Sequence, residues 1–146
     1  MDYRNHGGCY YIRLDRGDEI ISSIHDVCER EGIRSATFSG IGGCDTAEIQ
    51  AFNPEEGSFT SERVEGLLEL VAITGNIISC DDGGLSHHAH ALFAYQEDGA
   101  QRIAAGHLKS STVLYTAEIE LRPVTGGTIG AELNAETGTN FWKFSA

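Results

Sequence analysis

The chain has 146 residues, a length that suits one domain around one hydrophobic core. Forty per cent of the residues are hydrophobic, which calls for a packed globular fold, and no run of about 18 apolar residues marks a membrane span. The net charge of −12, with ten Lys and Arg residues scattered singly, leaves no clustered basic face of the kind nucleic-acid binders carry, and it opposes binding to anionic membranes.

The N-terminal stretch MDYRNHGGCYYIRLDRG has no apolar run of signal-peptide length, so a soluble cytoplasmic protein is expected. Within it CYYIRLDRG alternates, with Tyr10, Ile12 and Leu14 on one face and Tyr11 and Arg13 on the other, which predicts a strand. DEIISSIHDVCEREG then changes period. Ile20, Ile21, Ile24, Val27 and Cys28 form a helical stripe, with Asp18 as the expected N-cap and Gly32 as the stop. His25 lies beside that stripe and reads as a partly exposed helix residue.

IRSATFSGIGGCDTAEIQAF reads as two strands broken by the glycine-rich SGIGG, and NPEEGSFTSERVEG as a turn-rich connection. LLELVAITGNI is apolar on both faces, as a central strand would be. SHHAHALFAYQEDGAQRIAAGHL reads as a hairpin turning at EDG. TVLYTAEIEL predicts a further strand with Val113, Tyr115, Ala117, Ile119 and Leu121 on one face. The tail is polar up to Phe141 and Trp142, which are expected to dock on the body. One helix among about seven strands indicates an α+β fold, mostly antiparallel β-sheet packed around a single α-helix, with residues 1–146 as one domain.

Cys9, Cys28, Cys44 and Cys80 are widely spaced, form no C-x-x-C pair, and read as reduced, mostly buried thiols. The histidines carry more information. On a strand, His88 and His90 share a face and His87 points the other way. Their Cα atoms stand about 6.5–7 Å apart, so both imidazoles can lean toward one ion at about 2.0–2.1 Å. If EDG turns the chain, His107 comes back beside them. Three nitrogens favour zinc and leave a fourth position for water or a ligand, whereas a purely structural zinc is normally closed by four ligands. The competing reading is a polar patch on an exposed strand with no metal. A cupin also uses H-x-H, but it wants a Glu shortly after the second His, where Ala94 and Tyr95 stand.

Taken in order, YYIRLDRGDEIISSIHDVCEREGIRSATFSGIGG, LELVAITGNI, HHAHALFAYQEDGAQRIAAGHL and ETGTNFW resemble the successive segments of the PPC domain, the plants and prokaryotes conserved domain. Glu69, Gly75 and Asn76 match its E-x-x-S-L-x-G-N-I piece, and the likeness runs from about Tyr10 to Trp142. The resemblance implies a compact α+β domain that assembles as a homotrimer. It also implies zinc held through His88, His90 and His107, with His87 outside the pattern. Ala105 and Ala72 replace a Gly and a Ser of the family's segments, both small changes. The AT-hook that precedes the domain in plants, an Arg-Gly-Arg-Pro core for the minor groove, is absent, so DNA binding by that element does not transfer.

Three functions follow as expectations. The first is a zinc-dependent enzyme, with Glu69 as the general base because it sits at a motif position on a central strand. Against it, Glu69 also reads as an edge carboxylate or an ion-pair partner. The second is a DNA-binding regulator by analogy with the plant proteins, which the charge opposes. The third is a non-catalytic trimer that binds a small molecule at the metal. No Ser-His-Asp or Cys-His arrangement and no phosphate loop is present; GIGG lacks the following helix that a dinucleotide motif needs.

Overall fold

In the computed structural model, which describes residues 1–145, the chain opens with a hairpin of β1 (Asp2–His6) and β2 (Cys9–Asp15). The alternation in β2 does what it predicts: Tyr10, Ile12 and Leu14 are buried while Tyr11 and Arg13 face out. The helix α1 (Ile20–Glu31) buries Ile20, Ile21, Ile24, Val27 and Cys28. Its N-cap is Glu19 rather than Asp18. The longer Glu19 side chain accepts from the Ser22 N–H at 2.7 Å and also from the Ser111 N–H at 3.1 Å, so one carboxylate caps the helix and ties it to the sheet. A cap of this kind contributes about 1 kcal/mol. Asp18 instead accepts from the Asp15 N–H at 2.8 Å in the preceding turn.

Long, bent strands follow. β3 (Ala36–Asn53) runs unbroken through SGIGG, where a break is expected from the glycines. The glycines serve close approach instead. A Cβ on Gly40 would sit 2.4 Å from the Glu118 carbonyl oxygen, and register shifts on either side of Gly42 carry the strand past the crowded point. β4 (Ser58–Ser79) starts inside the stretch that reads as a connection. That stretch is solvated on both faces, so no alternation marks it. β5 (Leu85–Glu97) and β6 (Ala100–Pro123) form the expected hairpin, with Asp98 and Gly99 at φ 52° and 75°, the left-handed pair of a tight hairpin turn. β6 is one 24-residue strand that absorbs TVLYTAEIEL. Tyr115 is exposed on it, displaced from the buried row of Val113, Ala117, Ile119 and Leu121 and lying over Gly43.

The strand order is β1-β2-β6-β3-β4, with β5 pairing both β4 and β6. Since β3 also pairs both β4 and β6, these strands close a circuit β3-β4-β5-β6, while the start of β4, Ser58–Leu68, extends beyond it and pairs with β3 alone. The interior is filled by Phe93, Leu14, Ile20, Ile24, Leu68, Leu70, Ile73, Ile77, Ile119 and Leu121, each under 2% exposed. Full burial of such side chains contributes about 1.5–3 kcal/mol apiece. The fold is α+β, antiparallel-dominated with a single helix. After β6 the chain adds a small hairpin, β7 (Thr128–Leu133) and β8 (Asn140–Ser145), joined to the body by a parallel bridge between Ser79 and Gly130 and by a hydrogen bond from Ile129 N–H to Ser35 Oγ at 3.2 Å. No helix among the described residues is long and apolar enough to cross a membrane.

Candidate metal centre

On β5, His88 and His90 alternate with the buried Ala89 and Ala91, so both imidazoles stand on the outer face of the circuit. The Asp98–Gly99 turn then sets the register that places His107 directly opposite His90. On the other flank of β5, β4 places Thr74 opposite His90 and Asn76 opposite His88. One nitrogen from each of His88, His90 and His107 lies within 4.8 Å of the others. The ring centroids are 4.4 Å apart for His90 and His107 and 5.0 Å apart for each of the other two pairs. Gly106 makes the return possible. It adopts φ +153°, and a Cβ there would stand 2.6 Å from the Gln50 carbonyl oxygen of β3. Only glycine lets β6 press against β3 at the residue before the ligand.

Burial holds His88 and His107 below the ordinary histidine value, and the neighbouring imidazoles push the same way, His90 on His88 and both His90 and His88 on His107. Both rings are thus biased toward the neutral form, with lone pairs free for a cation. Three imidazoles, with no carboxylate in the group, match the chemistry of an imidazole-preferring divalent ion such as zinc and not that of an oxygen-seeking one.

Aromatic rings flank the cluster. Phe59 of β4 stands edge-on to His107 at 5.1 Å and is itself braced by Phe52 at 5.5 Å. Trp142 of β8 lines, with Thr37, Thr74, Asn76, His88 and His90, a cavity of about 310 Å³. In that cavity wall the buried Asn76 Oδ1 has no hydrogen-bond partner. Such an orphaned acceptor costs about 1–3 kcal/mol, and this one is closed off from solvent, so it is not open to a guest in the cavity.

Of the residues singled out in the sequence, His88, His90 and His107 are brought together and Glu69 is not. Glu69 pairs with Ala94, four residues further along β5 than His90, or roughly 13 Å at about 3.3 Å per residue. His87 stands on the opposite face of β5, exposed and toward α1, where its Nδ1 lies 3.1 Å from Nε2 of His25, so these two histidines join helix to strand. SGIGG does not line the histidine cavity; Gly40 and Ile41 line a separate groove of about 840 Å³. Sequence reasoning passes over Thr37, Phe59 and Thr74, which carry no motif signal, notes Asn76 as part of the family pattern, and expects Trp142 to dock on the body with Phe141, whereas both stay about half exposed.

The chain matches the Plants and Prokaryotes Conserved (PCC, also written PPC) domain over residues 1–125. It belongs to the PPC family. A PPC protein from Pyrococcus horikoshii superposes with a TM-score of 0.80 at 27% identity, over 97% of this chain and 93% of that one. A metal-containing protein from Archaeoglobus fulgidus gives 0.80 at 26% identity, over 98% and 99%. A candidate DNA-binding protein from Ralstonia eutropha gives 0.83 at 25% identity, over 97% and 94%. Among curated proteins none matches the chain. The PPC match ends before the β7–β8 hairpin, whereas the structural likenesses extend over nearly the whole chain.

Proposed function

We propose that this PPC protein is a homotrimer that holds one zinc ion per subunit through His88, His90 and His107 and binds a small molecule at the position left open. The observation that carries the reading is the convergence of three imidazole nitrogens within 4.8 Å, on one face of the sheet. The metal-containing relative from Archaeoglobus fulgidus supports it. When bound, the ion would supply Lewis acidity at its remaining position. This chain's residues would do the rest: Thr37 and Thr74 line the cavity with hydroxyls for the guest, while Phe59 and Trp142 flank the cluster on either side. Glu69 is too far along the strand to reach the histidines within one chain, so no general-base role is assigned to it.

The trimer reading draws on the family resemblance and on the groove of about 840 Å³ between β1, β2, β6, β3 and β4. Its wall mixes exposed Tyr11 and Ile41 with Arg4, Arg13, Glu118 and Glu120, an apolar centre with both signs of charge around it, as a contact between subunits can use. Ile41→Glu is expected to give a monomer by light scattering; an unchanged mass would place the contact elsewhere. The DNA-binding description of the Ralstonia eutropha relative does not carry over well to a chain of net charge −12.

The deciding experiment is metal content by mass spectrometry on untagged protein, beside the double variant His88→Ala/His90→Ala. About one zinc per chain in the wild type, lost in a folded variant, is expected. No metal in either, after incubation with zinc, would overturn the reading.

A further inference from the structure

His25 and His87 form a second group of imidazoles, apart from His88, His90 and His107. His25 comes from the middle of α1 and His87 from the face of β5 opposite His88, and only the fold brings together two residues 62 positions apart in the chain. His25 Nε2 lies 3.1 Å from His87 Nδ1, the rings stand at 85° to each other, and their centroids are 5.1 Å apart. That ring spacing is close to the 5.0 Å of two pairs in the three-histidine cluster. Two nitrogens that share an ion at about 2.0–2.1 Å stand about 2.9–3.4 Å apart, for ligand angles between about 90° and 109°. Neither ring has another hydrogen-bond partner among the described residues, and both side chains are at least partly open to solvent, so an ion can reach them. His87 stands outside the PPC histidine pattern, so the pair adds to what the family implies.

From this geometry we infer that His25 and His87 are a second metal site, a two-histidine clip for a late first-row divalent ion such as nickel, copper or zinc, with water in the remaining positions. Each neutral imidazole carries its one proton on the outward nitrogen when both facing nitrogens bind the ion, so no proton is lost. With two protein ligands instead of three, this is the weaker site. Its ligands come from separate elements that meet only in the native state, so the ion stabilises the folded chain by mass action and pins the middle of α1 to β5. The inference stands on its own residues and does not depend on the zinc reading above.

The test uses untagged protein in the His88→Ala/His90→Ala background, which lacks the first site, with nickel(II) as the probe. Calorimetry should give about one nickel per chain, and an excess of nickel should raise the melting temperature. His25→Gln in the same background keeps a side-chain N–H to donate to His87 Nδ1 and removes the imidazole. It should leave the metal-free melting temperature close to that of its parent. It should weaken nickel binding by at least about 10-fold, the least that loss of even an outer-sphere partner costs, and remove the nickel-dependent rise. In parallel, the wild type should take up one more nickel per chain than His25→Gln alone. No nickel binding in the background protein, or binding that His25→Gln leaves unchanged, would overturn the inference and leave the pair as a hydrogen bond. If the background variant does not fold, the wild-type comparison decides, and equal nickel stoichiometry with and without His25 would overturn the inference.

Discussion

His90 and His107 are register partners across the β5–β6 hairpin, their ring centroids 4.4 Å apart, while His88 stands two residues along β5 from His90. The pair is thus fixed by backbone hydrogen bonding, and His107 is the one ligand from the returning strand. His107→Ala is expected to weaken zinc binding by more than about 100-fold, beyond the cost of losing an outer-sphere partner. It should change the stability of the metal-free protein by less than about 0.5 kcal/mol, since the ring lies on the outer face. Calorimetric zinc titration and thermal melts in chelator check both parts; an affinity near that of the wild type would remove His107 from the ligand set.

Gly106 carries the geometry that delivers His107. With φ +153° and only 2.6 Å between a would-be Cβ and the Gln50 carbonyl oxygen, Gly106→Ala must shift either β6 or β3. A loss of about 1–3 kcal/mol is expected in urea unfolding, together with weaker zinc binding. The same substitution at Gly57, which has open space around it, should cost less, although its φ of +63° also disfavours a side chain.

The metal-free protein should lose stability as pH falls from about 7 to 5.5. His87, His88 and His107 are all held below the ordinary value of 6.5, each chiefly by burial. Between their folded values and 6.5 the unfolded chain binds more protons than the folded one, so stability is complete above 6.5 and declines below it. The depressed carboxylates, Asp2, Asp15, Asp18 and Glu48, act in a separate window below their ordinary values of 3.8 to 4.5. Melting temperatures measured in chelator should fall across this range, and less so in His88→Ala/His107→Ala. A flat profile would contradict the shared direction of the three shifts.

Thiol reactivity should divide the cysteines. Cys9, Cys28 and Cys44 are buried, and burial pushes the Cys28 thiol up to about 12, far from the thiolate that reacts. Cys80, partly exposed at the end of β4, should react first with an aromatic disulfide reagent, and Cys80→Ser should abolish the fast phase. Rapid modification of more than one thiol per native chain would show that the core opens.

The parts legible in the sequence are those where a local pattern coincides with burial. β2, the α1 stripe, the turn at Asp98–Gly99 and the shared face of His88 and His90 all belong to that class. Less legible were places where tertiary context overrides the pattern. SGIGG looks like a break, yet small residues there let β3 and β6 approach closely, and register shifts carry the strand on. The start of β4, Ser58–Arg63, is exposed on both faces and so shows no period. The cap passed from Asp18 to Glu19 because the longer side chain also reaches Ser111 on β6, a contact no local motif encodes. Trp142 reaches the histidine cavity through long-range ties no local pattern encodes, the bridge from Ser79 to Gly130 and the hydrogen bond from Ile129 N–H to Ser35 Oγ.

The Asp98–Gly99 turn puts every one of the three histidines on a single hairpin, whereas closing the circuit requires β3 to find β6 across most of the chain. Hairpins close in about 1–10 μs, while long-range pairing of this kind takes milliseconds to seconds. The ligand set therefore exists before the fold does. An ion that grips the nascent hairpin binds the unfolded ensemble as well, which reduces the stabilisation that mass action would otherwise give. Zinc should accordingly raise the refolding rate in stopped-flow experiments by a larger factor than it lowers the unfolding rate, acting more as a nucleation aid than as a lock on the native state.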